Sequence, residues 1–313
     1  MIAYILARLA ATIPVMGVVA VVVFAILRLT PGDPAAIIAG DDATTEQLEQ
    51  IRAQMGLDQP VYIQFAVWIA RILRGDLGTS LISGVPVASM IAERIGPTLA
   101  LSTTIIIFSV AVAVPIGVIA AWKQGTLLDR AVSAGSVLGF SLPVFVNGYL
   151  LILVFSMQLR WLPVQGFSPL SDGLWPFLER LILPTLALGA AYVALIARIT
   201  RTSVLEVMGE DYIRTARAKG ANETSVLLRH ALRNAAVPIV TIIGVGVTNL
   251  VSGVVVTESV FNYPGLGRLV VEAVLARDYP VIQGLILLFA FAYILINLMI
   301  DMLYTVLDPR IRY

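Results

Sequence analysis

The sequence predicts an all-α integral membrane fold of about six transmembrane helices, with a partly helical external loop after the first. Three observations predict it. Of the 313 residues, 58% are hydrophobic and 13% charged, whereas a soluble domain carries about a quarter charged residues. Uncharged runs long enough to cross a hydrocarbon core of about 30 Å recur from one end of the chain to the other. None of them alternates as a barrel strand would, and backbone amides cannot be left unpaired in lipid, so the runs are helices.

The first run, residues 9–27, is longer than the apolar core of a signal peptide, and the Arg28-Leu29-Thr30-Pro31 that follows offers no small-residue cleavage site, so it reads as a retained anchor. Residues 30–94 then form an external cap within a single membrane domain spanning 1–313. In the cap, Thr44 or Thr45 opens an amphipathic helix carrying Leu48, Ile51 and Met55 and ending near Gly56. A second helix, from Val61 to Leu73, places Tyr62, Phe65, Trp68 and Ile69 at helical spacing, with Tyr62 and Trp68 suited to a membrane interface. Two readings of the cap stand: a lid packed on the bundle, or a docking surface for an external partner. The Asp41-Asp42 pair ahead of the cap helix lacks the oxygen-rich spacing of a calcium loop and reads as a solvated run.

The remaining runs are 95–122, 131–159, 181–197, 234–257 and 279–300, of which the fourth is short and borrows Ile199 or flanking residues that reach the interface. Pro14, Pro115, Pro143, Pro184 and Pro238 fall in or near five of the spans and permit kinks. Six spans put both termini on one side. If that side is cytoplasmic it holds 12 of the 21 basic residues and 7 of the 20 acidic ones, a balance of +5 against −4 outside. Short cytoplasmic loops are enriched in Lys and Arg, so both termini are expected inside. Asp301, near the inner end of the last span, is expected to pair with a base such as Arg310.

The cytoplasmic segment 198–233 is too long and too patterned for a plain connector. A short helix is expected from about Asp211 to Lys219, with Glu210 and Asp211 at its start, Tyr212 in its first turn, Arg214, Arg217 and Lys219 along it, and Gly220 at the stop position. Ala216 and Ala218 keep its surface low enough for another protein's cleft to close on it. The orientation rule alone accounts for the charge, but not for the small residues or the glycine.

With these residues in view, the chain resembles the permease subunits of bacterial ABC importers in the dipeptide, oligopeptide and nickel group. In the superfamily's cytoplasmic motif, Ala216, Gly220 and Leu232 match, whereas Arg214, Thr215, His230 and Arg233 depart from it. The peptide-type version is matched from Asp211 through Gly220 and again in His230-Ala231-Leu232-Arg233-Asn234-Ala235. Pro31-Gly32-Asp33-Pro34, Leu57-Asp58-Gln59-Pro60, Gly75-Asp76-Leu77-Gly78, Pro97-Thr98-Leu99, Phe261-Asn262-Tyr263-Pro264-Gly265-Leu266-Gly267, Arg277-Asp278-Tyr279-Pro280 and the terminal Asp308-Pro309-Arg310-Ile311-Arg312-Tyr313 extend the resemblance along the whole chain. It implies the type I importer permease fold in a bacterial inner membrane. It also implies a heterodimer with a second homologous permease, two cytoplasmic ATPases and an external solute-binding protein that delivers short peptides. Glutathione, nickel chelates, haem and opine-like compounds are alternative cargoes within the same group.

The chain has no Gly-x-x-x-x-Gly-Lys-[Ser/Thr] phosphate loop, so ATP and Mg are expected on the partner ATPases, with no cofactor here. Cysteine is absent and His230 is the only histidine, which removes thiolate chemistry and histidine-rich metal sites, and no catalytic constellation is visible. A net charge of +1 asks for no nucleic acid. Buried acids and inverted repeats, expected of an ion-coupled transporter, are not evident, and a membrane enzyme would need convergent catalytic groups. Polar residues within spans mark either interhelical hydrogen bonds or a solute path. Asn147, Thr248 and Asn249 are taken as the path candidates, because the family's third and fifth spans lie near the dimer axis. Ser102, Thr103, Thr104 and Asn297 are taken as interhelical hydrogen-bonding residues.

Overall fold

A computed structural model describes residues 2–29, 35, 44–54 and 57–307. Within these the chain is helical: α1 (Ile2–Leu29), α2 (Thr45–Gln54), α3 (Val61–Leu73), α4 (Val87–Trp122), α5 (Leu127–Ser141), α6 (Val144–Gln158), α7 (Leu174–Met208), α8 (Asp211–Ala218), α9 (Glu223–Val260), α10 (Leu266–Leu275) and α11 (Tyr279–Leu307). Four of these, α4, α7, α9 and the Tyr279–Met302 part of α11, are long and apolar enough to cross a membrane, and α5 with α6 makes a fifth if the bent pair is one span. The first expected span lies in α1, 28 residues long, with Ala10–Ala25 as its apolar stretch.

Two expectations are corrected. The run 131–159 is not one rod: α5 and α6 meet at 102°. Pro143, without an amide hydrogen to donate, stands at the N-cap of α6, and Leu142 before it is extended (φ −89°, ψ 123°), as a residue preceding proline prefers. The segment 198–233 is mostly helix rather than loop. α7 continues without a break from the fourth apolar run to Met208, 35 residues in all, and α9 starts at Glu223. The polar residues there leave the hydrocarbon while the α ladder goes on. The non-helical links are only 209–210 and 219–222. Pro14, Pro115, Pro184 and Pro238 lie inside helices that continue through them, as does Pro97.

The chain divides into two compact units, Met1–Gly96 with Leu269–Leu295, and Pro97–Arg268 with Ile296–Tyr313. In the first, α2 carries the expected capping box: Thr44 Oγ1 accepts from the Gln47 amide (3.3 Å), and Gln47 Oε1 accepts from the Thr44 amide (2.9 Å). α3 occupies the expected residues, and its Phe65 and Trp68 pack on Phe24 of α1 with ring centroids 5.2 and 5.6 Å apart, while Tyr62 stays exposed. That contact supports the packing reading for this part of the cap. In the second unit, α7 is the central element, burying thirteen residues. One face packs with α4 and α9 through Leu101, Ile105, Leu181, Leu188, Leu250 and Val254. Ala113, Ile196 and Ala197 continue the packing toward α8. The motifs 31–34 and 308–313, Asp41-Asp42, the expected end of α2 at Gly56 and the Asp301 partner Arg310 lie outside the described residues.

Candidate functional site

α8 spans Asp211–Ala218, one residue short of the expected end. It is held by one side chain. Ile213 is fully buried among Val118 and Ala121 of α4, Val204 of α7 and Val226, Leu227 and Ala231 of α9. Glu210, Asp211, Tyr212, Arg214, Thr215, Arg217, Ala218 and Lys219 remain exposed, and Ala216 is half-buried. Glu210 stands at the N-cap without a side-chain cap bond. Partial burial, then the charge of Glu210, raises the Tyr212 phenol above its ordinary pKa, so it stays a protonated donor near neutrality.

Gly220 ends the helix with φ +84°, the left-handed conformation that a β-carbon disfavours. The Ala221 amide then reaches back to the Ala216 carbonyl at 3.2 Å, the long-reach bond of a Schellman stop. Asn222 Oδ1 accepts from the Ser225 amide at 2.7 Å and opens α9. The basic residues are partly committed within the chain. Arg217 grips Glu223 through Nε (2.8 Å) and Nη2 (3.1 Å), and Arg214 reaches Asp211 at 3.3 Å between nearly bare side chains. The second pair adds little stability. Among the described residues, Lys219 has no ion-pair partner.

Asp129 at the start of α5 is buried and binds Arg201 of α7 side-on through Nε and Nη2, the Nη2 to Oδ2 distance being 2.9 Å. The Gly125 amide adds a third donor at 2.9 Å. Sequence reasoning registered Asp129 only as a charge and did not single out Ile213. An isolated isoleucine in a charged segment was the available signal for the latter.

The three path candidates part company. Asn147 Nδ2 donates to the Ala187 carbonyl of α7 at 2.9 Å, and Thr248 Oγ1 donates to Gly244 one turn back at 3.1 Å. The first joins α6 to α7; the second stays within α9. Asn249 is exposed, in a stripe with Val245, Ser252, Val256 and Ser259 at alternating spacings of four and three residues.

The quoted motifs converge in two polar knots. In the second unit Glu258, fully buried, accepts from Thr98 Oγ1 at 2.6 Å and from the Arg268 amide at 3.0 Å, while Thr98 Oγ1 accepts from the Leu266 amide at 2.8 Å. A carboxylate and a hydroxyl thus cap the N-terminus of α10 across the chain. A β-carbon at Gly265 would lie 2.0 Å from Glu258 Oε1, and one at Gly267 would lie 2.5 Å from Val255 Cα. Burial, reinforced by the Glu258 charge, pushes the Tyr263 phenol upward. In the first unit Asp278 plays the matching part. It accepts the Ser80 hydroxyl and, at 3.1 Å, the Leu81 amide, joining the chain after Gly75-Asp76-Leu77-Gly78 to Arg277-Asp278-Tyr279-Pro280.

This is a multi-pass helical membrane protein in which, among the described residues, buried polar side chains join helices and one short helix, α8, lies exposed at their ends. The family described as binding-protein-dependent transport system inner membrane component matches residues 113–313, and that family's N-terminal domain matches residues 1–102. The chain belongs to this family of ABC importer permeases. It is 52% identical over 310 residues, 99% of each chain, to a probable peptide ABC transporter permease protein of Sinorhizobium fredii. It is 48% identical over 313 residues, 100% of each chain, to the glutathione transport system permease protein GsiC of Escherichia coli. Among solved structures, an inward-facing form of the MetNI methionine ABC transporter aligns with 71% of this chain and 97% of its own, at a TM-score of 0.59 and 19% identity. That likeness establishes the fold, the type I importer permease fold expected from the sequence.

Proposed function

We propose that the chain is one of two homologous permease subunits of an importer that takes up short peptides from an external solute-binding protein, powered by two cytoplasmic ATPases. ATP and Mg are bound by those ATPases, and this chain carries no cofactor. Peptide cargo is supported by the peptide permease and glutathione permease relatives, glutathione being itself a tripeptide. The whole chain forms one permease domain in which 30–94 is the external cap and 198–233 the coupling segment, with both termini inside. Asn249, with Ser252 and Ser259, lies on the face offered to the second permease and the passing solute. Asn147 supports that path by fastening α6 to α7, and Thr248 from within α9 beside Asn249.

The observation that carries this reading is α8: a short helix exposed on nearly every side, pinned to α4, α7 and α9 by Ile213 and stopped by a left-handed glycine. A push on such a helix is delivered to three spans at once. Gly220→Val forces a branched residue into the left-handed region at a cost of roughly 1–3 kcal/mol. It is expected to leave membrane insertion intact while reducing copurification of the ATPases or uncoupling hydrolysis from uptake. Ala216→Trp is expected to act likewise, and Arg217→Glu more mildly, since the Glu223 pair it breaks is solvent-exposed and adds little stability. Wild-type copurification and uptake in all three variants would remove α8 from the mechanism.

The orientation has its own test. In this cysteine-free chain, Gln50→Cys is expected to react with an impermeant maleimide in intact cells and Ala221→Cys only after permeabilisation. The reverse pattern would invert the topology.

A further inference from the structure

We infer that Asp129 and Arg201 are positioning residues for transport: their ion pair is the tie through which a displacement of α8 reaches α5, a helix with no side chain in the cluster around Ile213. The inference rests on the reading of α8 as the segment on which the ATPases act, and it adds a fourth helix to the three that Ile213 engages. Three observations carry it.

The carboxylate gathers its donors from the two elements that hold α8. Ile213 packs on Val118 and Ala121 near the end of α4 and on Val204 of α7, and no residue of α5 belongs to that cluster. Arg201 stands less than one turn before Val204, and Gly125 lies just past the end of α4 at Trp122. Asp129 of α5 accepts from Arg201 Nε, from Arg201 Nη2 at 2.9 Å and from the Gly125 amide at 2.9 Å. One side chain of α5 is thus gripped by both neighbours of the α8 anchor.

The pair is of a kind that fixes direction. A planar guanidinium fork on a carboxylate sets angle as well as distance. Asp129 is buried and Arg201 partly so. A buried pair adds little net stability over apolar side chains of the same volume, so its contribution here is to orientation.

Away from the pair, α5 has no polar hold on α7. The Ser136 and Ser141 hydroxyls donate within their own helix, to the Val132 and Val137 carbonyls at 2.9 and 2.8 Å. Among the described residues, no other side-chain hydrogen bond or ion pair links α5 to α7. The two helices meet through small residues: a β-carbon at Gly139 would lie 3.1 Å from Ala194 Cβ. Beside that contact, Gly135, Gly139, Ala190 and Ala194 line an apolar groove of about 530 Å³ among α4, α5 and α7. Surfaces without prominent ridges slide more readily than interlocked ones, and the groove leaves room for it. Nor is α5 carried by α6, since the chain is extended at Leu142 and the two helices meet at 102°.

The test uses the assembled transporter in proteoliposomes with its purified solute-binding protein, ATP and Mg. Nitroxide labels are placed singly at Glu206→Cys on α7 and Leu138→Cys on α5, both exposed positions of this cysteine-free chain. In the otherwise unaltered protein, ATP is expected to change both spectra. Asp129→Asn is expected to retain ATPase copurification and the Glu206→Cys change while reducing the Leu138→Cys change at least roughly fivefold. Asp129→Leu combined with Arg201→Met removes both charges without leaving either one buried alone, so it stays readable where the single variant fails to assemble. It is expected to melt near the wild-type midpoint and to lose the Leu138→Cys change as fully. An undiminished Leu138→Cys change in that double variant makes the pair a structural contact only and overturns the inference. A silent Leu138→Cys with a responding Glu206→Cys in the unaltered protein also overturns it, while the reading of α8 stands. Silence at both positions in the unaltered protein overturns the reading of α8 and the tie together.

Discussion

Gly265→Ala is expected to lower the thermal stability of the detergent-solubilised protein more than any other single methyl group added to it. The new β-carbon would sit 2.0 Å from Glu258 Oε1, inside any allowed contact, and Glu258 cannot yield because Thr98 and the Arg268 amide hold both of its oxygens. Either the carboxylate is pushed from its donors and left buried, or α10 shifts away from it. Overpacking and an orphaned buried charge each cost about 1–3 kcal/mol or more. Thr98→Val provides the comparison without steric change. It removes the hydroxyl that donates to Glu258 and the acceptor for the Leu266 amide, so roughly 2–5 kcal/mol is expected from two groups left unpaired. A thermal unfolding midpoint within a degree or so of wild type for both variants would show that the Glu258 knot is ornamental.

The second large effect is expected at Ile213. Truncating it to alanine removes a fully buried side chain from the junction of α4, α7 and α9, at a cost of roughly 2–5 kcal/mol. That cost falls on a helix of eight residues with no other buried anchor. α8 is expected to detach locally, so that the permease still inserts and purifies but brings down little ATPase and supports little uptake. Thr215→Ala, which changes an exposed side chain on the same helix, serves as the control and is expected to stay near wild type. Equal ATPase recovery from the two variants would mean that α8 holds its place by other contacts.

The contrast between Gly220 and Ile213 shows what the sequence made legible. Gly220 was readable because a glycine after a short charged helix has few other local explanations, and its φ of +84° follows from the stop itself. The boundaries of α3 were readable for a similar reason, with Pro60 before it and aromatic residues at helical spacing within it. Ile213 was not, because its burial comes from Val118, Val204 and Val226, far away in sequence. The extent of α7 was misjudged because hydropathy reports where a helix leaves lipid, not where it ends. The bend before α6 was marked by Pro143, yet a proline in an apolar run signals only the chance of a break: α7 and α9 carry Pro184 and Pro238 without one. For the path candidates the residue types pointed to spans rather than to faces. Thr248 and Asn249 are neighbours on one helix, so one turns inward and the other outward. The quoted motifs gave the family, while their pairing in space, Thr98 with Glu258 and Ser80 with Asp278, depended on tertiary structure alone.

The wide turn between α8 and the rest of α9 has a mechanical meaning. Over Val226–Ala231 the backbone bonds follow the π pattern, which accommodates one residue more than the α ladder needs. Drawing that surplus residue back into α geometry displaces everything on the N-terminal side by about 1.5 Å along the axis and about 100° around it, without breaking the helix. The joint is therefore a built-in length of slack. Deleting Leu228 would remove it, leaving a stiff shaft in which α8 and the Asn249 face turn only together.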